Sequence, residues 1–155
     1  MSDPDQPARD AAAAAAAERV EAGMTIGLGS GRAVWRAIEL IGERFADSAH
    51  PLRSAFASEV TRERALAVGI EAVELDGATQ LELAIDGADE VDGNLGLIKG
   101  GGAALLREKI VISAAKSFVV VAETKKRVER LGATRGLPVE VVRFGCVAAG
   151  DTVSA

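Results

Sequence analysis

The sequence predicts an α/β fold, a mostly parallel sheet with helices on both faces. Three observations predict it. Short apolar runs alternate with longer segments at helical spacing, the pattern of consecutive βαβ units. Three motifs rich in Gly or Asp fall just beyond candidate strands, where open parallel sheets bind their ligands. A chain of 155 residues with 48% hydrophobic content suffices for one packed core and leaves no length for a second full domain.

Residues 1–10 are polar and read as a flexible N-terminus, 11–145 as the α/β catalytic domain, and 146–155 as a divergent C-terminal tail. The alanine run predicts a helix over 11–22, because alanine has the best helix propensity and Gly23 supplies a stop. An apolar strand over 24–28 runs into Gly27-Leu28-Gly29-Ser30-Gly31. Val34, Ala37, Ile38 and Ile41 then recur at helical spacing within a helix over 33–45. The alternation continues with a strand over 53–57, a helix over 61–68 closed by Gly69, and strands over 70–75 and 81–85. A helix over 103–115, a buried strand over 118–122, a short helix over 125–131 and a last strand over 139–142 complete the pattern. His50 reads as a surface loop residue and Trp35 as a helix residue packed on the sheet.

The net charge of -5 argues against non-specific nucleic-acid binding, which depends on phosphate neutralisation by Lys and Arg. A small anion is still allowed, because all five lysines (Lys99, Lys109, Lys116, Lys125, Lys126) fall within 28 residues. A single cysteine, Cys146, cannot form an internal disulfide and fits a reducing compartment. The first ten residues lack a basic n-region, and no run reaches the roughly 20 apolar residues of a membrane span. The expectation is a cytoplasmic protein without a membrane or nucleic-acid partner.

The 27–31 loop joins a strand to a helix, so its backbone N–H groups can hold an anion. A dinucleotide fingerprint fails at Arg32, where glycine is required, and the Lys-Ser/Thr of a Walker loop is missing. The loop therefore reads as a single-phosphate cradle, with Ser30 as hydroxyl donor and Arg32 as a charged partner. Asp86-Gly87-Ala88-Asp89 places two carboxylates three residues apart at a strand end. Spacing excludes an EF-hand, and the only histidine is remote, leaving Mg²⁺ between the two Asp as the competing metal reading. Lys99 precedes Gly100-Gly101-Gly102, three glycines at a helix entrance that suggest close approach of a ligand. Finally, Gly101, Ala104, Leu105, Glu108, Val111, Ile112 and Ala115 share one helical face on which only Glu108 is charged. Burial there should raise its pKa, as suits a base that abstracts a proton from carbon.

IDGADEVDGNLGLIKGGGAALLREKI closely resembles the signature region of the ribose-5-phosphate isomerase A family. GLGSG before a helix, AETKK after a strand, and LPVEVV match in order and spacing, from about residue 18 to 142. The resemblance implies a Rossmann-like sheet and interconversion of D-ribose 5-phosphate and D-ribulose 5-phosphate through an enediolate, with no metal and no cofactor. It implies Glu108 as the base, and Asp86, Asp89 and Lys99 as groups that assist ring opening and handle the oxygens of C1 and C2. Lys126, Gly87, Ala88 and Gly100 to Gly102 fall at substrate-binding positions. Ser30, Gly31, Arg32 and Ala33 stand where many members continue with Ser-Thr, so a guanidinium replaces two hydroxyls. Similarity fades near residues 143–146, and the family's small C-terminal α+β domain has no counterpart, so we expect a shortened member. The competing function is a non-catalytic sugar-phosphate sensor, or an inactive truncated isomerase. A homodimer is the expected assembly.

Overall fold

The computed structural model describes residues 3–154. Its centre is a five-stranded parallel sheet in the order β3-β2-β1-β4-β7. The strands are β1 (Thr25–Leu28), β2 (Arg53–Phe56), β3 (Glu71–Ala72), β4 (Leu81–Gly87) and β7 (Ala115–Val121). A separate antiparallel hairpin pairs β5 (Glu90–Val91) with β6 (Leu97–Ile98). The helices are α1 (Gln6–Ala17), α2 (Arg32–Phe45), α3 (Glu59–Ala67), α4 (Leu105–Ser113) and α5 (Cys146–Ser154).

Period-two alternation along the central strands sorts residues between two layers. Ile26, Leu28, Leu83 and Ile85 join Val34, Ile38 and Ile41 of α2 and Ala16 and Ala17 of α1 in the main core. On the opposite face Val111 of α4 packs with Ala55 and Ala57, and with Leu81, which at the first position of β4 departs from the alternation. That packing is close: a Cβ at Gly27 would lie 2.5 Å from Val111 Cγ1. Helices thus cover both faces, and the predicted architecture holds. Among the described residues no helix is long and apolar enough to cross a membrane.

Several boundaries differ from expectation. The first helix starts at Gln6 and ends at Ala17, five residues earlier than predicted at each end. Proline in its first turn suits a helix start. Residues 6–10, expected as part of the flexible N-terminus, are helical, with Arg9 buried against Asp3 and Glu123. The chain leaves this helix at Glu18 so that Val20 can enter the core. The predicted 70–75 strand shrinks to β3, an edge strand with only two pairing positions on β2. The helix predicted from 103 begins at Leu105, since Ala103 sits at φ 56, outside helical backbone. Strand β7 is only half-buried because it is the sheet edge, so the prediction of a buried strand over 118–122 is corrected. In place of the short helix over 125–131 there is one 3₁₀ turn, Thr124–Lys126.

No strand forms over 139–142; Val139, Val141 and Val142 are exposed, and no described strand lies alongside to pair with them. The 146–155 segment, expected as a divergent tail, is helical from Cys146 to Ser154. The β5–β6 hairpin was not predicted. Its connection is a side-chain turn in which Asp92 Oδ1 accepts from Asn94 N at 2.9 Å and Gly96 N at 2.7 Å. This hairpin returns the chain to the end of β4 and delivers Lys99.

Candidate active site

Asp86 occupies the last turn of β4, alternating away from Leu83 and Ile85 onto the α4 side of the sheet. It is 1% exposed. Its Oδ1 accepts from Gly87 N at 2.7 Å and Ser30 N at 3.2 Å. Only glycine fits at position 29, because a Cβ there would lie 1.9 Å from Asp86 Cγ. The 27–31 loop is therefore shaped around this carboxylate. Gly31, at φ 118, then starts α2 without any side-chain cap, leaving first-turn N–H groups open to an anion.

Lys99 follows β6 and is nearly buried, with its side chain 10% exposed. Its Nζ donates to Gly87 O at 2.5 Å, and lies 2.9 Å from Asp86 Oδ2 and 3.1 Å from Glu108 Oε2. Three oxygens thus surround one ammonium, Gly87 O as a hydrogen-bond acceptor and the two carboxylates as ion-pair partners. The contact with Asp86 Oδ2 is an ion pair without an aligned hydrogen bond. The sequence placed Lys99 at the mouth of the glycine nest; the structure turns it inward, between two carboxylates.

Glu108, in the first turn of α4, is 5% exposed. Burial raises its pKa, and the neighbouring charges of Asp86 and Asp89 push the same way, while Lys99 pulls it down. Asp86 is also raised by burial, against the pull of Lys99 and of its two N–H donors. Asp89 Oδ2 accepts from Gly101 N at 2.8 Å, and a Cβ at Gly101 would come within 2.8 Å of Asp89 Oδ1. The middle glycine of the nest is thus required by a carboxylate of the protein itself.

Asp89, Lys99 and Glu108 wall a cavity of about 270 Å³, which Ser30, Gly31, Gly87 and Ala88 also line, while Asp86 lies buried behind Lys99 and off the wall. Gly100, Gly101, Gly102 and Lys126 close its rim, so the glycine nest and the Asp86–Asp89 turn meet as expected. An adjoining lobe of about 210 Å³ shares Ser30, Gly31, Gly87, Asp89 and Lys126 with the first. Arg32 and Ala33 line only this second lobe, and the Arg32 guanidinium there is 2.9 Å from Asp3 Oδ2 and largely exposed. The second lobe also holds Lys125, one of the five clustered lysines, and Arg9 and Arg135, neither of which the sequence reading singled out. Arg9 is 3% exposed, with Nη2 lacking a hydrogen-bond partner. No periodic signal marks a lone arginine in a polar lead. Trp35, read as sheet packing, lines the first cavity and donates from Nε1 to Thr61 Oγ1 at 3.2 Å. Among the described residues no group of three or more His, Cys, Asp or Glu could hold a metal, and the Lys99 ammonium stands against Asp86.

The family model "Ribose 5-phosphate isomerase A (phosphoriboisomerase A)" matches residues 55–155. The chain belongs to the ribose 5-phosphate isomerase A family. It is 46% identical over 142 residues to ribose-5-phosphate isomerase A of Ruegeria pomeroyi, spanning 92% of this chain and 54% of that protein. The structure of the Methanocaldococcus jannaschii ribose 5-phosphate isomerase A superposes with a TM-score of 0.91 at 32% identity, covering 97% of this chain and 67% of that one. A D-ribose-5-phosphate isomerase in complex with phospho-erythronic acid gives 0.91 at 34% identity, over 96% and 66% of the two chains. The chain thus spans about half the length of the curated relatives it matches. The family's mostly parallel sheet is the one described above, as the sequence predicted.

Proposed function

We propose that this chain is an aldose–ketose isomerase acting on D-ribose 5-phosphate and D-ribulose 5-phosphate. The observation that carries the reading is one ammonium, Lys99, held 2.9 Å from Asp86 and 3.1 Å from Glu108 at the wall of the cavity. Isomerisation needs a base to take the C2 proton of the open-chain aldose, with the C1 carbonyl becoming an enediolate oxygen. The same proton equivalent then returns to C1, while the O2 hydroxyl proton passes to O1, so that C2 becomes the carbonyl and C1 a hydroxymethyl group. Glu108 suits the base, since burial brings a carboxyl nearer to the operating pH. Lys99 supplies positive charge for the developing oxyanion, and Asp86 holds Lys99 in place. Asp89 faces the same cavity and is placed to move protons on the sugar oxygens.

The second lobe supports the phosphate end of the substrate: it joins the uncapped start of α2 to Arg9 and Lys126. Phospho-erythronic acid, bound by a related isomerase, fits this division, because its planar carboxylate beside a carbinol imitates an enediolate. The resemblance calls for no metal or cofactor in this chemistry. We further propose a cytoplasmic enzyme that self-associates, a reading supported by the exposed edge at β7, with oligomeric mass read by light scattering.

The test is an isomerase assay on the purified 155-residue chain and on Glu108→Gln. Turnover by the parent and its loss in the variant, with sugar-phosphate binding retained, is the expected result. A variant with parental turnover would remove Glu108 from the reaction. Binding without turnover in the parent would instead favour a sugar-phosphate sensor.

A further inference from the structure

The mechanism leaves one fully buried carboxylate unused. Glu90, next to Asp89 in chain order, is 0% exposed. These neighbouring carboxylates point opposite ways, Asp89 to the Gly101 amide and Glu90, the first residue of β5, to the 132–135 loop. Glu90 Oε1 accepts from Thr134 N at 2.5 Å, Thr134 Oγ1 at 2.6 Å and Arg135 N at 2.9 Å. Its Oε2 accepts from Gly132 N at 2.6 Å. Four donors compensate a charge whose burial would otherwise be costly. They hold the carboxyl down at about 2, the Thr134 hydroxyl foremost, against the effect of burial. The loop is consequently fixed at any pH where the enzyme would work.

What the loop carries forward is Arg135, on the wall of the second lobe. The other cations of that lobe already have carboxylate partners. Arg9 pairs with Asp3 and Glu123, Arg32 with Asp3, Lys125 with Asp5 and Lys126 with Glu123. Among the described residues, Arg135 is the one cation of the lobe without such a partner. We propose that Arg135 is a specificity-determining residue that takes the phosphate end of the substrate, and that Glu90 is the positioning residue that holds it there. The proposal rests on the sugar-phosphate reading above, and adds to it a contact carried by a loop outside the 27–31 cradle.

The experiment is calorimetric titration of the full chain with inorganic phosphate, on the parent, Arg135→Ala, Glu90→Gln and the double variant, each checked for folding by circular dichroism. A single charge-assisted contact predicts that Arg135→Ala weakens phosphate about tenfold. Glu90→Gln keeps the side chain's shape but sets an amide against the Gly132 or Thr134 donors, and should weaken phosphate by a similar factor. The double variant should be no weaker than Arg135→Ala alone, since Glu90 acts through Arg135. In the isomerase assay the same variants should raise KM and leave kcat within about twofold; a general loosening of the fold would lower kcat. Parental affinity in Arg135→Ala would overturn the contact. Losses that multiply in the double variant, or a folded Glu90→Gln with parental affinity, would overturn the positioning role. If the parent itself binds no phosphate at millimolar concentration, the sugar-phosphate reading fails and the inference falls with it.

Discussion

Replacing Lys99 with methionine keeps the volume of the side chain and removes its charge. Asp86 and Glu108 then face each other almost dry, at 1% and 5% exposure. At the observed separations of 2.9 and 3.1 Å, each lost ion pair is worth roughly 5 kcal/mol of Coulomb energy at an effective dielectric of about 20. The full sum is never realised, because the variant can take up a proton instead. Protonating a carboxyl of ordinary pKa 4.5 at pH 7 costs 1.36 × 2.5, or about 3 kcal/mol. We therefore expect Lys99→Met to lose about 3 kcal/mol at pH 7, within the range for breaking a buried pair. A proton held by the folded variant but not by its unfolded chain makes stability fall as pH rises. The deficit relative to the parent should then grow by about 1.4 kcal/mol per pH unit above the parental Glu108 pKa. Urea denaturation of both proteins at pH 6.5, 7.0 and 7.5 measures this. A deficit that is independent of pH, or smaller at the higher pH, would refute the placement of one ammonium between two buried carboxylates.

Glu108→Gln should cut turnover by about 10³-fold or more, in line with general-base contributions. The same variant should be as stable as the parent or more so at pH 7.5, because the raised pKa makes ionised Glu108 a cost to folding above that pKa. The difference should fade as pH drops toward 4.5, which urea titration at two pH values reads. Gly29→Ala drives a methyl into the space of Asp86 Cγ, 1.9 Å away, and should cost about 2 kcal/mol together with most of the turnover. A chelator should leave turnover unchanged; inhibition that Mg²⁺ reverses would assign a metal to Asp86 and Asp89.

The legibility of this fold followed the length of its signals. Val34, Ala37, Ile38 and Ile41 mark α2 over about two turns, and all four are buried as their spacing required. The two-residue strands β5 and β6 are too short for any alternation to show, and the Asp92 side-chain turn between them was not read from the sequence. The run over 139–142 alternates like a strand, yet a strand also needs a neighbour, and none of the described strands lies beside it. Glu108 was legible as the one charge on an apolar stripe. The stripe itself was overstated: only Glu108 and Val111 of α4 are buried, and Lys99 contributes as much to the Glu108 environment as the helix does. Glu90 was not legible because its partners lie 42 to 45 residues away in the chain, and Arg9 because Glu123, one of its partners, lies 114 away. Local pattern cannot encode such contacts.

The central claim is that Glu108 moves a proton between C1 and C2 through an enediolate. Incubating D-ribose 5-phosphate with the chain in D₂O and reading the product by mass spectrometry and NMR tests it most directly. Ribulose 5-phosphate carrying solvent deuterium at C1 is expected from the parent, and no labelled product from Glu108→Gln. A product formed over many turnovers without solvent deuterium, as direct hydride transfer would give, would contradict it.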